Sequence, residues 1–251
     1  MRNVVLVSVL TLGVAGCEVI DFASGVGAAL IEGEHYDVSD DGVTWVSYSS
    51  FGGSKPVRRE QRVDADARTF EVAEDPIYAT DARRAYCKAG ALEGSIAAGF
   101  RILSNGKGEG SSIATDGQHV WLYCDQIAGA DGATFRLIGG DYGADDAGVW
   151  LMSSRIDGAD PASFRILDVE EEVAVDARAA YAGIFPIPTE RPADIRSLGA
   201  GYSTDGVAVY WRQYRLDGAD PGTFEVRRGE RFGRDRSGCW TSMKAQPCLN
   251  P

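Results

Sequence analysis

Leu216-Asp217-Gly218-Ala219-Asp220-Pro221-Gly222-Thr223-Phe224 recurs twice upstream, as Ile156-Asp157-Gly158-Ala159-Asp160-Pro161-Ala162-Ser163-Phe164 and as Ile127-Ala128-Gly129-Ala130-Asp131-Gly132-Ala133-Thr134-Phe135. The chain is built from repeats. A second register runs through the same region. An Asp is followed five residues later by a Tyr or Trp at Asp40/Trp45, Asp81/Tyr86, Asp116/Trp121, Asp145/Trp150, Asp176/Tyr181, Asp205/Tyr210 and Asp235/Trp240. Fourteen residues beyond the ring lies Phe100, Phe135, Phe164, Ile195 or Phe224, whereas the first unit spaces Trp45 and Phe70 by 25, an excess that falls around Tyr48 to Arg62. Three residues before the Asp sits Tyr78, Ile113, Tyr142, Val173, Tyr202 or Phe232. A period near thirty residues is the mark of stacked supersecondary units.

Each period reads as short strands joined by tight turns. Asp116-Gly117 and Asp205-Gly206 are hairpin dipeptides, and Val207-Ala208-Val209-Tyr210-Trp211 has the β-branched and aromatic content of a strand. In the recurring loop, Asp160 or Asp220 accepts free backbone N–H groups while Pro161 or Pro221 fixes the backbone angle. A strand then starts at the Phe, as in Phe164-Arg165-Ile166-Leu167. The expected fold is all-β, with six to seven tandem hairpin repeats of about 30 residues in an open or rolled stack. A propeller is disfavoured because a blade needs four strands, so two hairpin units would be spent on each.

The 251 residues include 31 glycines, 44% hydrophobic and 10% aromatic residues, which suits a turn-rich β chain better than disorder. The formal net charge is −12, and an acidic surface disfavours nucleic acid, whose binding needs dense Lys/Arg contacts.

Residues 1–17 begin Met-Arg-Asn, continue as an apolar run from Val4 and end Val14-Ala15-Gly16-Cys17. The run is shorter than the ~20 residues of a spanning helix and has the form of a cleavable export signal, expected to be helical. Its last four residues resemble the lipobox of bacterial lipoproteins, which implies acylation of Cys17 and a membrane held through lipid. Glu18, in place of an Asp, leans by that resemblance toward the outer membrane over the inner. Residues 18–35 read as a tether, 36–240 as the repeat domain and 241–251 as a C-terminal tail.

With Cys17 set aside, Cys87, Cys124, Cys239 and Cys248 remain, an even number that fits an oxidising compartment. The expected disulfides are Cys87 with Cys124 and Cys239 with Cys248. Zinc is disfavoured by the lack of Cys-x-x-Cys and by only two histidines, His35 and His119. Calcium is disfavoured because each unit offers one hairpin Asp and at most two in its loop, and the cluster Asp37 to Gly42 lacks an EF-hand Glu. No metal or cofactor is expected.

From about residue 36 to 240 the register resembles the DKNYYY repeat family of bacterial proteins, named for an Asp followed by a tyrosine-rich strand. Here Lys-Asn is replaced by Gly206-Val207, Asp146-Ala147, Ala82-Arg83 or Ala177-Arg178, and the tyrosine run is thinned. The resemblance implies architecture and an envelope location, and no activity.

The chain shows no Gly-x-Ser-x-Gly elbow and no His-Glu-x-x-His motif, and the run Glu170-Glu171-Glu172 reads as a solvated loop rather than a glycosidase pair. No enzyme is expected. The recurrent rings read as core, whereas Trp211 and Tyr214, off the common register, are the aromatics expected to face a ligand. These observations favour a membrane-anchored, non-enzymatic envelope scaffold for another envelope protein. The alternative is a glycan-binding module using exposed aromatics.

Overall fold

The computed structural model describes residues 33–49, 55–103 and 112–248. The N-terminal signal, its lipobox Cys17 and most of the tether lie outside the described residues. The rest is all-β, in seven antiparallel sheets stacked in sequence order. The first holds β1 (His35–Ser39), β2 (Gly42–Ser49) and β3 (Val57–Val63). The second holds β4 (Glu71–Val72), β5 (Tyr78–Thr80), β6 (Ala85–Cys87) and β7 (Gly90–Ala91). The third holds β8 (Arg101–Leu103), β9 (Ile113–Thr115), β10 (Val120–Leu122) and β11 (Asp125–Gln126). The fourth holds β12 (Arg136–Gly139), β13 (Tyr142–Ala144), β14 (Val149–Leu151) and β15 (Ser154–Arg155). The fifth holds β16 (Arg165–Asp168), β17 (Val173–Val175), β18 (Ala180–Ala182) and β19 (Phe185–Ile187). The sixth holds β20 (Arg196–Gly199), β21 (Tyr202–Thr204), β22 (Val209–Trp211) and β23 (Tyr214–Arg215). The seventh holds β24 (Gly233–Asp235), β25 (Gly238–Thr241) and β26 (Lys244–Gln246).

The repeat is therefore larger than the hairpin expected from the sequence. The strand that follows the loop Phe pairs with the hairpin that comes after it, as Arg165 does with Val175, so the second to sixth sheets each start after the loop and collect four strands, while the first and seventh hold three. The residues assigned to a C-terminal tail also join a sheet, because Thr241 ends β25 and Lys244–Gln246 pairs with it. The eleven extra residues of the first unit lengthen its hairpin, in which Val43 to Ser49 pair with Val63 to Val57. The stack is open. Buried apolar clusters join each sheet to the next through all six interfaces, and among the described residues none joins the seventh to the first.

In the second to sixth sheets the hairpin aspartate closes a four-residue turn, whereas the hairpins of the first and seventh turn in two residues. In the fifth sheet Asp176 Oδ1 accepts the N–H of Arg178 and of Ala179, both at 2.7 Å. The same two acceptances recur at Asp81, Asp116, Asp145, Asp205 and Asp235. The carboxylate organises the loop, so the residue after the Asp need not be glycine.

Oδ2 holds the incoming loop. Asp176 Oδ2 accepts the N–H of Asp160 at 2.9 Å, and Asp145 and Asp235 accept those of Asp131 and Asp220 at 2.8 and 2.9 Å. The loop residue returns the grip through its own neighbour: Asp160 accepts the Ser163 hydroxyl at 2.6 Å, and Ser163 in turn accepts the N–H of Ala177 at 3.1 Å. This is why Asp, Pro or a small residue, and Ser or Thr recur together: they form one closed hydrogen-bonded corner.

The loop Phe then crosses the second strand of its sheet. That crossing requires a small residue two places before the hairpin Asp, and Ala79, Ala114, Gly143, Ala174, Ser203 and Gly233 stand there. At Gly143 a Cβ would lie 2.3 Å from Phe135 Cζ, and at Gly233 2.1 Å from Phe224 Cζ. Opposite the small residue, across the ladder, stands the large ring: Ala79 pairs with Tyr86, Gly143 with Trp150, Gly233 with Trp240.

The rings at the two register positions point to opposite faces of their sheet, because Tyr78 opposes Cys87 whereas Tyr86 opposes Ala79, one residue out of phase. Five of the six interfaces accordingly hold a cluster of rings, as in Tyr78–Phe100–Trp121 or Tyr142–Phe164–Tyr181 with centroids 5.7 to 6.1 Å apart, while the interface of the fifth and sixth sheets has Val173 and Ile195 around the single ring of Tyr210. Trp45, Tyr86, Trp121, Trp150, Tyr181, Tyr210 and Trp240 are all buried, and the ladder is core. The tyrosines on the strand that enters each hairpin reach into the next sheet. Tyr36 OH donates to the Ile77 carbonyl (2.9 Å), Tyr142 OH to Glu172 (3.1 Å) and Tyr202 OH to Trp240 (2.8 Å), while Tyr78 OH donates to Ser112 and Tyr123.

Candidate ligand cleft

The recurring aspartates are spent on the fold. Burial by itself pushes Asp205 up, but hydrogen bonds from the Thr189 hydroxyl, the N–H groups of Ala208 and Val207 and the Tyr210 hydroxyl bring it down to about 2. Asp81 is likewise held at about 2: burial opposes, and the Tyr86 hydroxyl with the N–H groups of Arg83, Arg84 and Asp66 outweighs it. Among the described residues no group of three or more His, Cys, Asp and Glu is arranged to hold a metal ion. His119 belongs to one of these corners, its Nδ1 lying 3.2 Å from Asp116 Oδ2.

The four remaining cysteines also join elements of the stack. Cys87, on β6, is disulfide-bonded to Cys124 in the β10–β11 turn, with Cα atoms 5.4 Å apart, and so ties the second sheet to the third. Cys239, on β25, is bonded to Cys248 just beyond β26, with Cα atoms 4.9 Å apart.

Trp211 and Tyr214 meet in an open cleft of about 590 Å³, whose walls come from the fifth and sixth sheets with Leu151 of the fourth. Trp211 ends β22 and Tyr214 opens β23, and the two are directly paired across the turn. Phe185, which the sequence did not single out, opens β19 at the equivalent position one sheet earlier and lines the same cleft. Phe185 and Tyr214 are half exposed, at 50% and 48%, whereas Trp211 is half-buried.

The same cleft is lined by acidic residues. The turn between β16 and β17 has four residues, 169–172, where the equivalent turns of the fourth and sixth sheets have two. Asp168 Oδ1 caps this longer turn by accepting the N–H of Glu170 and of Glu171, both at 3.1 Å. Glu171 reaches into the sixth sheet, its two carboxylate oxygens accepting the N–H of Ala200 (2.7 Å) and of Gly201 (2.6 Å). Both turn residues have left-handed backbone, φ 52° and 78°, which points successive N–H groups at one anion. Glu171 thereby bridges the interface where Val173 occupies the place of a tyrosine bridge. Glu170 and Glu172 are exposed and line the cleft, so the run expected to be a free solvated loop has one member locked and two presented.

Arg212 and Gln213 complete the lining. The Arg212 guanidinium lies 5.6 Å from the Trp211 ring centroid, and a Cβ on Gly201 would come within 3.2 Å of Trp211 Nε1, so the indole is braced on the turn that Glu171 grips. The cleft is thus lined by three rings together with carboxylates, one guanidinium and one carboxamide.

Against family models, residues 53–184 and 125–244 match the DKNYY family in two overlapping stretches. The chain belongs to the DKNYY family. Its matched residues span the second to sixth sheets entire and most of the seventh. No curated protein and no solved structure matches the chain.

Proposed function

We propose that this DKNYY protein is a non-enzymatic scaffold of the bacterial envelope, held at a membrane by acyl chains on Cys17 and presenting its sheet stack to another envelope protein. The observation that supports this reading most is the commitment of the recurrent groups to the stack. The hairpin aspartates of the second to seventh sheets and the register tyrosines bond within the fold, which turns much of the repeat's chemistry inward. Two disulfides suit an oxidising compartment outside the cytoplasm. The export signal and Val14-Ala15-Gly16-Cys17 support the anchor.

The anchor is tested by labelling cells with a fatty-acid analogue. The wild-type chain incorporates label and fractionates with membranes, preferentially the outer one, and Cys17→Ser incorporates none. Label retained by the variant contradicts the anchor. The scaffold role is tested by crosslinking in intact cells, where recovery of one envelope protein in stoichiometric amount is expected and background recovery alone rejects it.

A further inference from the structure

We infer that the cleft between the fifth and sixth sheets is a binding site for a short oligosaccharide of neutral or amine-bearing sugars. The repeat supplies its own control for this inference. A residue required for stacking recurs at the same position in every sheet, and a residue that departs from its equivalents needs another reason. The first residue of the fourth strand is Gly90, Asp125 and Ser154 in the second to fourth sheets, then Phe185 and Tyr214 in two consecutive sheets. The last residue of the third strand is Cys87, Leu122, Leu151 and Ala182, and then Trp211. The β16–β17 turn is two residues longer than its neighbours and carries Glu170 and Glu172. These independent departures converge on one cleft.

The lining selects the ligand class. Half-exposed rings on adjacent sheets offer flat apolar platforms, which suit the C–H faces of successive pyranose rings. Exposed carboxylates and the Gln213 carboxamide offer acceptors and donors for ring hydroxyls and amides. A volume of about 590 Å³ lies within the range of small-ligand pockets and takes roughly two to three sugar rings. Anionic ligands are disfavoured, since Glu170 and Glu172 face the cleft and its one guanidinium already lies over Trp211. A lipid chain is disfavoured by the same carboxylates.

The test is calorimetric titration of the purified full-length chain in detergent with triacetylchitotriose, deacetylated chitotriose, trigalacturonate and trilysine. One of the two chitotrioses is expected to saturate the protein more tightly than the other two probes. Tyr214→Ala and Phe185→Ala should each weaken that binding by about tenfold or more, the loss of one stacking contact, with an unchanged melting temperature because both side chains are half exposed. The inference is overturned if neither chitotriose binds, if trigalacturonate or trilysine binds more tightly, or if both ring variants bind as wild type. The measurement needs neither the acyl group nor a protein partner, so its outcome is independent of the scaffold reading.

Discussion

Tyr181 donates its hydroxyl to Asp176 Oδ2 at 2.9 Å, five residues upstream across the turn that the same carboxylate closes. Tyr210 does the same to Asp205 at 2.9 Å and Tyr86 to Asp81 at 2.7 Å, while Trp240 serves Asp235 with its indole N–H at 3.0 Å. One carboxylate thus ties a turn, the preceding loop and a core ring.

Removing the ring's donor leaves a buried carboxylate short of a partner. Tyr210→Phe is expected to destabilise the chain by about 1.5–3 kcal/mol, the range for a hydrogen bond to a charged group, measured by urea denaturation. A loss below about 0.5 kcal/mol would show that the Thr189 hydroxyl and the backbone N–H groups suffice for Asp205.

The corners also set an acid limit. Asp81 and Asp205 lie at about 2 in the folded chain, and Asp116, Asp176 and Asp235 are lowered too, burial opposing in each and hydrogen bonds prevailing. Unfolded aspartates titrate near 3.9, so the stabilisation is complete above about pH 4 and is lost as pH falls from about 4 to 2. Tyr86 acts at the other end: burial first, then its bond to Asp81, raises it to about 12, so its stabilisation is lost between about pH 10 and 12. Circular dichroism against pH should show both limbs, and undiminished stability at pH 2 contradicts the corner mechanism.

Gly143 and Ser203 occupy equivalent places and should respond in opposite senses. Gly143→Ala puts a methyl 2.3 Å from Phe135 Cζ and is expected to destabilise by about 1–3 kcal/mol through overpacking. Ser203 Oγ is buried without a hydrogen-bond partner, and Ala79, Ala114 and Ala174 stand at its place in other sheets. Ser203→Ala should therefore leave stability unchanged or raise it by up to about 1 kcal/mol. A loss from Ser203→Ala would reveal a partner for the hydroxyl.

Reduction of Cys87–Cys124 removes a bridge spanning 37 residues between two sheets. The expected loss for Cys87→Ala with Cys124→Ala is about 3–4 kcal/mol, read as a lowered denaturation midpoint. The melting temperature should fall without loss of the β signal, since five other sheets keep their own clusters. Collapse of all β structure would show that cooperativity runs through that bridge.

Much of the stack was legible because its parts are local. The Asp, the ring five residues on and the loop ending in Phe lie close in sequence, and their spacing reports a hydrogen-bonded corner. The pairing of the Phe-led strand was not, since nothing in Phe164-Arg165-Ile166-Leu167 says which neighbour it joins, and the structure pairs it forward. The register also conceals differences. Asp40 and Trp45 fit it, yet Asp40 is exposed at a turn, and Trp150 fits it while its Nε1 is buried without a partner. The small residue two places before six of the seven aspartates was readable and passed over, because a methyl carries no chemistry until a ring is seen lying on it. In the cleft, Trp211 and Tyr214 stood out by departing from the register. Phe185 and the glutamates escaped because their meaning depends on a turn two residues longer than its neighbours and on sheets brought together only by stacking.

The central claim is that the hairpin carboxylate and the ring five residues on act as one structural unit. A double-mutant cycle with Asp176→Asn and Tyr181→Phe, measured by urea denaturation, tests it most directly. The account predicts that the double variant is less destabilised than the sum of the singles by about 1–3 kcal/mol. Additivity within about 0.3 kcal/mol would contradict it.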